Sequence, residues 1–249
     1  MRTLVLGDPH NRVDTLDDII AFEGTLVDKI IIVGDFHDHW TDGASKAKKT
    51  AIWMKEHLTD PRFVMLMGNH DAQYAFPYRY NEQSQGAHFL NSCGANKSKA
   101  DAIKRVFTSS DWHRIHLFHE DQGFVYSHAG IHPYYFLRHE CTWNEAFHQI
   151  AEEQFWHAPY QSWVNVVGTV RGGYEHSIGG ALWCDYVHEF RPTEGVKQIF
   201  GHTICPDGVH TQDELNYCVN CQFKGYLVIQ DGTPIVYKWD PISKVGYEE

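Results

Sequence analysis

The chain has 249 residues, of which 43% are hydrophobic and 21% charged, and its formal net charge is −11. This composition is typical of a soluble globular protein, and the negative charge argues against tight binding to long nucleic acid. No apolar run approaches the ~20 residues that a membrane-spanning helix needs, so we expect no membrane partner. Acidic and turn residues follow Met1 too closely for a secretory signal, which favours a cytoplasmic location.

The first part of the chain alternates strand-like and helix-like patterns. Runs of β-branched and other apolar residues predict strands at 3–7, 29–33 and 62–67. Between them, apolar residues recur with helical spacing, which predicts helices at 12–23 and about 44–58. A β-α-β-α-β order implies parallel strands joined by right-handed crossovers, so we expect an α/β fold.

The rest of the chain has less regular patterns. We predict helices at 97–107 and 141–156, a strand at 197–200, and hairpins that pair 115–118 with 124–126 and 226–229 with 235–239. Residues 72–86 lack a clear period and predict an irregular aromatic loop, and the glycine-rich stretch 168–180 predicts another loop. Without a linker or repeat, we expect a single domain, 1–249, with a helical and loop insertion around 131–196.

Five predicted strands run into residues that commonly bind metals. These strand ends are Gly7-Asp8-Pro9-His10, Gly34-Asp35-Phe36-His37-Asp38, Gly68-Asn69-His70-Asp71, Ser127-His128 and Gly201-His202. Burying a lone carboxylate is costly, so we expect these groups in the crevice beyond the carboxyl ends of the strands. Carboxylate, imidazole and amide oxygen suit divalent ions such as Mn²⁺, Zn²⁺ or Fe²⁺. Asp35, between the other two parallel strand ends in sequence, is the candidate bridge for two ions ~3.5–4 Å apart.

These motifs, in this order, resemble those of the calcineurin-like metallophosphoesterase superfamily. Gly-Asp-x-His, Gly-Asp-x-x-Asp, Gly-Asn-His-Asp, His-Ala-Gly and Gly-His span roughly residues 7 to 203, most of the chain. Ser127-His128-Ala129-Gly130 and Leu182-Trp183-Cys184-Asp185 look closer still to its phosphoprotein phosphatase branch, which includes bacterial, phage and diadenosine-tetraphosphatase members. The resemblance implies an α/β fold with a β-sandwich, flanking helices and an active site at the strand ends.

The resemblance also implies a role for each motif residue. Asp8 and His10 would hold a first metal ion, Asp35 would bridge to a second, Asn69, His128 and His202 would complete the second site, and His70, oriented by Asp38, would protonate the leaving group. The cofactor would be two divalent ions, with Mn²⁺ favoured and Fe, Zn or Ni as alternatives. Two such ions would lower the pKa of a bridging water and so supply hydroxide for attack on phosphorus.

The chain departs from this branch at two arginines that commonly bind phosphate. His39 follows Asp38 where the branch usually has one arginine, and Met67 stands in place of the other. Loss of a bidentate guanidinium fork is not conservative, and it puts a phosphoprotein substrate in doubt. Arg171, in its glycine-flanked loop, is the candidate replacement for binding substrate, and a protonated His39 could partly substitute.

The six cysteines fit reduced thiols better than a disulfide scaffold, because their spacing is neither dense nor regular. Cys218-x-x-Cys221, with Cys205 and His210 nearby, contains the ligand types of a zinc site. A single Cys-x-x-Cys in a predicted hairpin is a weak signal, and we favour packed thiols.

Three functions are compatible with the sequence. The first is hydrolysis of a phosphomonoester by a serine/threonine phosphatase-like enzyme, with a phosphoprotein or a phosphorylated small molecule as substrate. The second is hydrolysis of a dinucleoside polyphosphate such as diadenosine tetraphosphate. The third, a metal-binding scaffold without catalysis, ranks last because His70 and all the implied metal ligands are present.

Overall fold

The computed structural model describes residues 1–76, 94–138, 143, 145–159 and 161–249. Within these ranges the strands are β1 (Arg2–Leu6), β2 (Lys29–Ile32), β3 (Phe63–Met65), β4 (His119–Asp121), β5 (Phe124–Tyr126), β6 (Gln198–Phe200), β7 (His210–Thr211), β8 (Asn216–Cys218), β9 (Gly225–Gln230), β10 (Thr233–Asp240) and β11 (Val245–Glu248). The helices are α1 (Val13–Glu23), α2 (Ala44–His57), α3 (Asn69–Ala75), α4 (Lys97–Lys104), α5 (Ser109–Trp112), α6 (Pro133–Arg138) and α7 (Glu145–His157).

The first sheet contains the three strands predicted near the start of the chain. Its strand order is β11-β10-β9-β1-β2-β3. β1 pairs with β2, and β2 with β3, in parallel, so the predicted β-α-β-α-β order is confirmed. β9 and β10 extend the sheet as the predicted hairpin. Its turn residues Asp231 and Gly232 have φ values of 51° and 83°, which a two-residue type I′ turn requires.

The second sheet has the strand order β4-β5-β6-β8-β7 and packs against the first. Side chains alternate along a strand, so Val5 of β1 and Ile31 of β2 lie between the sheets, where they join the cluster that contains Tyr126 and Ile199. Leu4 and its neighbours on the opposite face belong to the cluster that includes the helices. Burial on both faces explains why β1 and β2 read as unbroken apolar runs.

The predicted hairpin at 115–118 and 124–126 is wrong in its first strand. β4 comprises His119–Asp121, and Asp121 pairs with Phe124. The turn is Gln122-Gly123, with φ values of 49° and 81°, so residues assigned to the turn by sequence belong to the strand. The apolar residues at 115–118 are buried in the core instead, and within this segment His116 forms an isolated bridge with Leu66.

Two other segments differ from their predicted form. The predicted loop at 72–86 begins inside α3, which ends at Ala75, and residues 77–86 lie outside the described residues. The predicted helix at 141–156 is observed as α7, which begins at Glu145, and residues 141, 142 and 144 lie outside the described residues. Both sheets contribute to one shared core cluster, and the single domain with an insertion around 131–196 stays a prediction. Among the helices that the structure describes, none combines the length and hydrophobicity needed to cross a lipid bilayer.

Candidate metal centre

The strand ends singled out by sequence converge at one edge of the two sheets. Asp8, Asp35 and Asn69 follow β1, β2 and β3, whereas His128 and His202 follow β5 and β6 of the other sheet. Asp8 and Asp35 are each 2% exposed and His128 is fully buried. Such burial of acids and imidazoles requires compensating positive charge or hydrogen bonds.

Asp35 belongs to two groups of side chains that could each hold a metal ion. Asp8, His10 and Asp35 form one group, and Asp35, His128 and His202 form the other, with ligand atoms within 4.8 Å of one another in each group. Oδ2 of Asp35 lies 3.8 Å from Nε2 of His10 and 3.4 Å from Nε2 of His128. One carboxylate oxygen therefore faces both groups.

Asn69 extends the second group through its amide oxygen. Oδ1 of Asn69 lies 3.0 Å from Nε2 of His128 and 3.0 Å from Nδ1 of His202. The structure thus brings together all six residues that the sequence assigns to metal binding: Asp8, His10, Asp35, Asn69, His128 and His202.

Backbone carbonyls fix the ring orientation of two of these histidines. Nδ1 of His128 donates to the carbonyl oxygen of Val33 at 2.8 Å, and Nδ1 of His10 donates to the carbonyl of Asp38 at 2.9 Å. A carbonyl only accepts, so each neutral ring carries its proton on Nδ1 and directs the lone pair of Nε2 toward Asp35. Metal-binding histidines in proteins are held in this way.

The donor set fits divalent cations. Lone pairs of His128, Asn69 and Asp35 crowd one small volume, and this arrangement is repulsive unless a cation or a proton lies between them. Burial lowers the pKa of His128, but attraction to Asp35 outweighs it and raises this pKa to about 9. Burial and repulsion by Asp35 raise the pKa of Asp8 to about 7, despite attraction to His128. Both pKa shifts show that this cluster stabilises added positive charge. Its ligand types match Mn²⁺, Fe²⁺ or Zn²⁺.

The surroundings of His202 favour its neutral form. Burial, then the charge of Arg171 and His128, lower the pKa of His202 well below its ordinary value. Nε2 of His202 is buried and has no hydrogen-bond partner within the described part of the chain. A neutral imidazole is the form that ligates metals.

The backbone at the centre adopts a conformation that non-glycine residues seldom use. The φ values are 45° at His10, 55° at Asp35, 67° at Asp38 and 63° at His202. Left-handed non-glycine residues are uncommon and are concentrated at functional sites, where the surrounding structure must enforce them. Here these residues follow β1, β2 and β6, the strands whose ends carry the candidate ligands.

Two glycines allow the strand ends to approach each other. A Cβ on Gly68 would lie 2.2 Å from Oδ1 of Asp35, and one on Gly201 would lie 2.1 Å from Oδ1 of Asp8. Any other residue at either position would displace a candidate ligand.

His70, the predicted general acid, lies beside Asp35 and His10. Its backbone N–H donates to Oδ1 of Asp35 at 2.9 Å, and its ring packs edge-on against that of His10. Nδ1 of His70 lies 3.7 Å from Oδ2 of Asp38, which is an ion-pair distance but too long for a hydrogen bond. Burial lowers the pKa of His70, but Asp35 and Asp38 outweigh it and raise this pKa above its ordinary value.

Arg171 and His39, the two predicted substrate-binding residues, differ in their surroundings. Nη2 of Arg171 lies 2.8 Å from Oδ2 of Asp185 and donates to the hydroxyl of Thr203 at 2.7 Å. Thr203 adjoins His202, so the guanidinium is held beside the centre. His39 is exposed, and its ring contacts the hydroxyl of Thr41 at 3.1 Å, so its role stays a prediction.

Sequence reasoning missed the residues that support this centre. Asp71 accepts from the backbone N–H groups of Phe36, His37 and Gly68, each at 3.2 Å, and so joins two strand ends. Asn220 donates to Oδ2 of Asp8 at 2.9 Å. The sequence contains a signal for Asp71, because this residue ends the motif Gly68-Asn69-His70-Asp71. No sequence pattern points to Asn220.

The four cysteines that the structure describes do not belong to a candidate metal site. Within the described residues, neither candidate ligand group contains a cysteine. Sγ of Cys218 donates to the carbonyl of Thr203 at 3.2 Å, and Sγ of Cys221 donates to that of Gly225 at 3.1 Å. Burial raises the pKa of the Cys221 thiol to about 11. These contacts agree with packed, protonated thiols and leave the alternative of a zinc site without support.

Two stacked sheets flanked by helices, with the candidate ligands at the strand ends, define a metallophosphoesterase-type fold. The sequence matches the calcineurin-like phosphoesterase family over residues 1–206. The chain belongs to this family, and it is a phosphoester hydrolase. A comparison with curated proteins finds no significant match.

Solved structures share this fold at low sequence identity. The cold-active protein-tyrosine phosphatase of a psychrophile, Shewanella sp., superposes with a TM-score of 0.66 at 13% identity, covering 99% of this chain and 80% of that one. A protein serine/threonine phosphatase from Saccharomyces cerevisiae gives 0.56 at 13% identity, with 100% and 80% covered. A putative diadenosine tetraphosphatase gives 0.50 at 15% identity, with 94% and 92% covered.

Proposed function

We propose that the protein is a dinuclear-metal phosphomonoesterase. The observation that carries this proposal is the position of Asp35, whose Oδ2 faces His10 on one side and His128 on the other. A carboxylate shared by two ligand groups is what a two-metal hydrolytic centre requires. A cytoplasmic location, proposed from the sequence, is compatible with this function.

Each half of the centre has a complete set of candidate ligands. The first ion would be held by Asp8, His10 and Asp35, and the second by Asp35, Asn69, His128 and His202. Bound divalent ions supply Lewis-acid stabilisation of phosphoryl oxygens and lower the pKa of water. We propose Mn²⁺ for both, because the ligands are oxygen and imidazole without thiolate, with Fe, Zn or Ni as alternatives.

His70 is proposed as the general acid. Its Nδ1 faces Asp38, so a protonated ring has Nε2 available to donate to the oxygen that leaves phosphorus. Burial lowers the pKa of His70, but Asp35 and Asp38 outweigh it and raise this pKa, which is the direction that a proton donor needs. Asp38 acts as a positioning residue for this ring.

Arg171 is proposed to bind the substrate phosphate. Its guanidinium is fixed by Asp185 and Thr203, and fixed donors bind phosphate with less loss of side-chain entropy. It is 28% exposed, so part of the group faces solvent beside His202.

The substrate can be assigned by comparing ester classes. The purified full chain, reconstituted with Mn²⁺, is assayed on p-nitrophenyl phosphate, bis-p-nitrophenyl phosphate, phosphoserine and phosphotyrosine peptides, and diadenosine tetraphosphate. We expect the monoesters to be hydrolysed and chelator to abolish turnover. One structural neighbour is described as a putative diadenosine tetraphosphatase, and preference for diadenosine tetraphosphate would favour the alternative, a dinucleoside polyphosphate hydrolase. Inactivity with every metal and substrate would favour a scaffold.

A further inference from the structure

Lys99 is a fully buried lysine near the proposed general acid. It lies in the first turn of α4, where its backbone N–H donates to the side chain of the N-cap residue Asn96. Its side chain is 1% exposed, whereas that of Lys97, two residues earlier on the same helix, is 87% exposed. Its Nζ donates to Oδ1 of Asp38 at 3.1 Å and to the carbonyl of Gly94 at 2.6 Å.

The two oxygens of Asp38 have different partners. Oδ1 accepts from Lys99 and from the hydroxyl of Tyr74 at 2.7 Å. Oδ2 accepts from Nε2 of Gln73 at 2.6 Å and faces Nδ1 of His70 at 3.7 Å. The carboxylate is thereby held in one rotation, with a single oxygen toward the imidazole.

A buried lysine–aspartate pair is weak evidence for stability. Removing two charges from water is costly, and an apolar pair of similar size is often as stable or more so. Lys99 also occupies the face of α4 that buries Ala102 and Ile103, where an apolar residue is the usual choice. A role beyond folding is therefore the better explanation for this pair.

We propose that Lys99 is a positioning residue that acts on His70 through the carboxylate of Asp38. The ammonium pins Oδ1, so Oδ2 stays directed at Nδ1 and the ring keeps the orientation that proton donation needs. This inference rests on the proposed phosphomonoesterase function. It adds Lys99 to the pair formed by His70 and Asp38. A general acid contributes about 10²- to 10⁴-fold to a rate, so a misoriented His70 ring should lower kcat by a measurable factor.

Substrates with different leaving groups distinguish this role from a purely structural one. The Mn²⁺-loaded full chain and its Lys99→Met variant are assayed on p-nitrophenyl, phenyl and methyl phosphate. We expect kcat to fall about 10- to 100-fold on phenyl and methyl phosphate but less than about threefold on p-nitrophenyl phosphate, with KM unchanged. The reason is that p-nitrophenolate departs without a proton. Lys97→Met, on the exposed face of the same helix, is the matched control and should behave as wild type.

A spectroscopic readout separates failure of this inference from failure of the proposed function. In metal-free protein with ¹⁵N-labelled histidine, the His70 ring signals are assigned by their loss in His70→Ala. Lys99→Met should shift these signals and Lys97→Met should not. A wild type inactive on all three esters would overturn the proposed function, while the spectrum still decides the role of Lys99.

Three results would overturn the role of Lys99. They are an equal loss of kcat on all three esters, no loss on any, and His70 signals that do not move. Should Lys99→Met fail to fold, Lys99→Gln retains a donor for Asp38 without the charge. Its kcat on phenyl phosphate is expected below wild type, with p-nitrophenyl phosphate again spared, and wild-type values would contradict the proposal.

Discussion

Oδ2 of Asp35 lies 3.4 Å from Nε2 of His128, and the two residues extend from different sheets. This contact joins the two halves of the sandwich at the strand ends. Both side chains are buried, and although burial lowers the pKa of His128, Asp35 raises it to about 9. In metal-free protein this raised pKa favours the charged imidazole, whose Nε2 proton then faces Asp35.

Asp35→Asn should abolish metal binding by both halves of the centre. Asparagine tolerates the left-handed φ of 55° at this position, so the backbone should be preserved while the shared negative charge is lost. Mutating a residue that only hydrogen-bonds to a metal ligand typically lowers metal affinity or activity about 10- to 100-fold. Because Asp35 is itself a candidate ligand, we expect kcat to fall by about 100-fold or more. Metal content by mass spectrometry should fall in parallel.

The control for Asp35→Asn is Asp14→Asn, which removes an exposed acid of α1. Mn²⁺ should raise the melting temperature of wild type and Asp14→Asn, since a ligand that binds only the folded state stabilises it. Full metal content and a normal thermal shift in Asp35→Asn would contradict the assignment of Asp35 as the bridge.

Gly68→Ala tests the close approach of two strand ends. The added Cβ would meet Oδ1 and the backbone of Asp35, and φ at Gly68 is an ordinary −98°, so any effect comes from contact rather than from backbone strain. We expect the free energy of unfolding of metal-free protein to fall by about 1–3 kcal/mol in urea titrations.

Gly43→Ala is the matched control for Gly68→Ala, because both glycines are helix N-caps and a Cβ at Gly43 meets no atom within 4 Å. It should lower the unfolding free energy only by the N-cap preference for glycine over alanine, about 0.5–1 kcal/mol, and by less than Gly68→Ala. Equal stability of the two variants would contradict the close approach, because it would mean that Asp35 can move away from an added methyl group without cost.

The parallel core of the first sheet could be predicted because its signals are local. Each strand there is an apolar run that ends at a glycine followed by an acid or amide, so Asp8, Asp35 and Asn69 could be placed at one edge. The hairpin of β4 and β5 was wrong in register because the segment 115–118 is as apolar as a strand. The positive φ values at Gln122 and Gly123 determine where the turn lies.

The supports of the centre could not be predicted because their contacts are distant in sequence. Lys99 reaches Asp38 from 61 residues away, and Asn220 reaches Asp8 from 212. Motifs and periodicity describe residues that are close in sequence. They do not predict which distant loop contacts a strand end. The one available signal for Lys99 was a lysine on the apolar face of a predicted helix.

Arg171→Lys should weaken phosphate binding. Lysine can keep one contact with Asp185 or Thr203 but cannot keep both while presenting a planar fork. We expect KM for p-nitrophenyl phosphate and the inhibition constant of inorganic phosphate each to rise about 10-fold, with a smaller change in kcat. Arg62→Lys, an exposed arginine paired with Asp60, is the control and should leave both constants unchanged. Unaltered phosphate inhibition in Arg171→Lys would remove Arg171 from the substrate site.

Asp121, far from the metal centre, should make stability depend on acid pH. Burial raises the pKa of Asp121, but the Lys29 ammonium at 2.6 Å and the Thr3 hydroxyl at 2.7 Å outweigh it and lower this pKa below its ordinary value. A lowered pKa means that the unfolded chain binds this proton more readily than the folded protein. The pair therefore stabilises the protein above the ordinary pKa of about 4, and this contribution disappears as the pH falls through the folded value.

Asp121→Asn tests this dependence in urea titrations of metal-free protein. The variant should be less stable than wild type at neutral pH, and the difference should shrink below about pH 4, because wild type alone loses the ion pair there. Asp14→Asn, at an exposed site, should follow the wild-type curve. Parallel curves for wild type and Asp121→Asn would show that Lys29 and Thr3 do not hold the carboxylate in its charged form. A difference that grows in acid would require a raised pKa instead, because only such a group stabilises the fold more as it gains its proton.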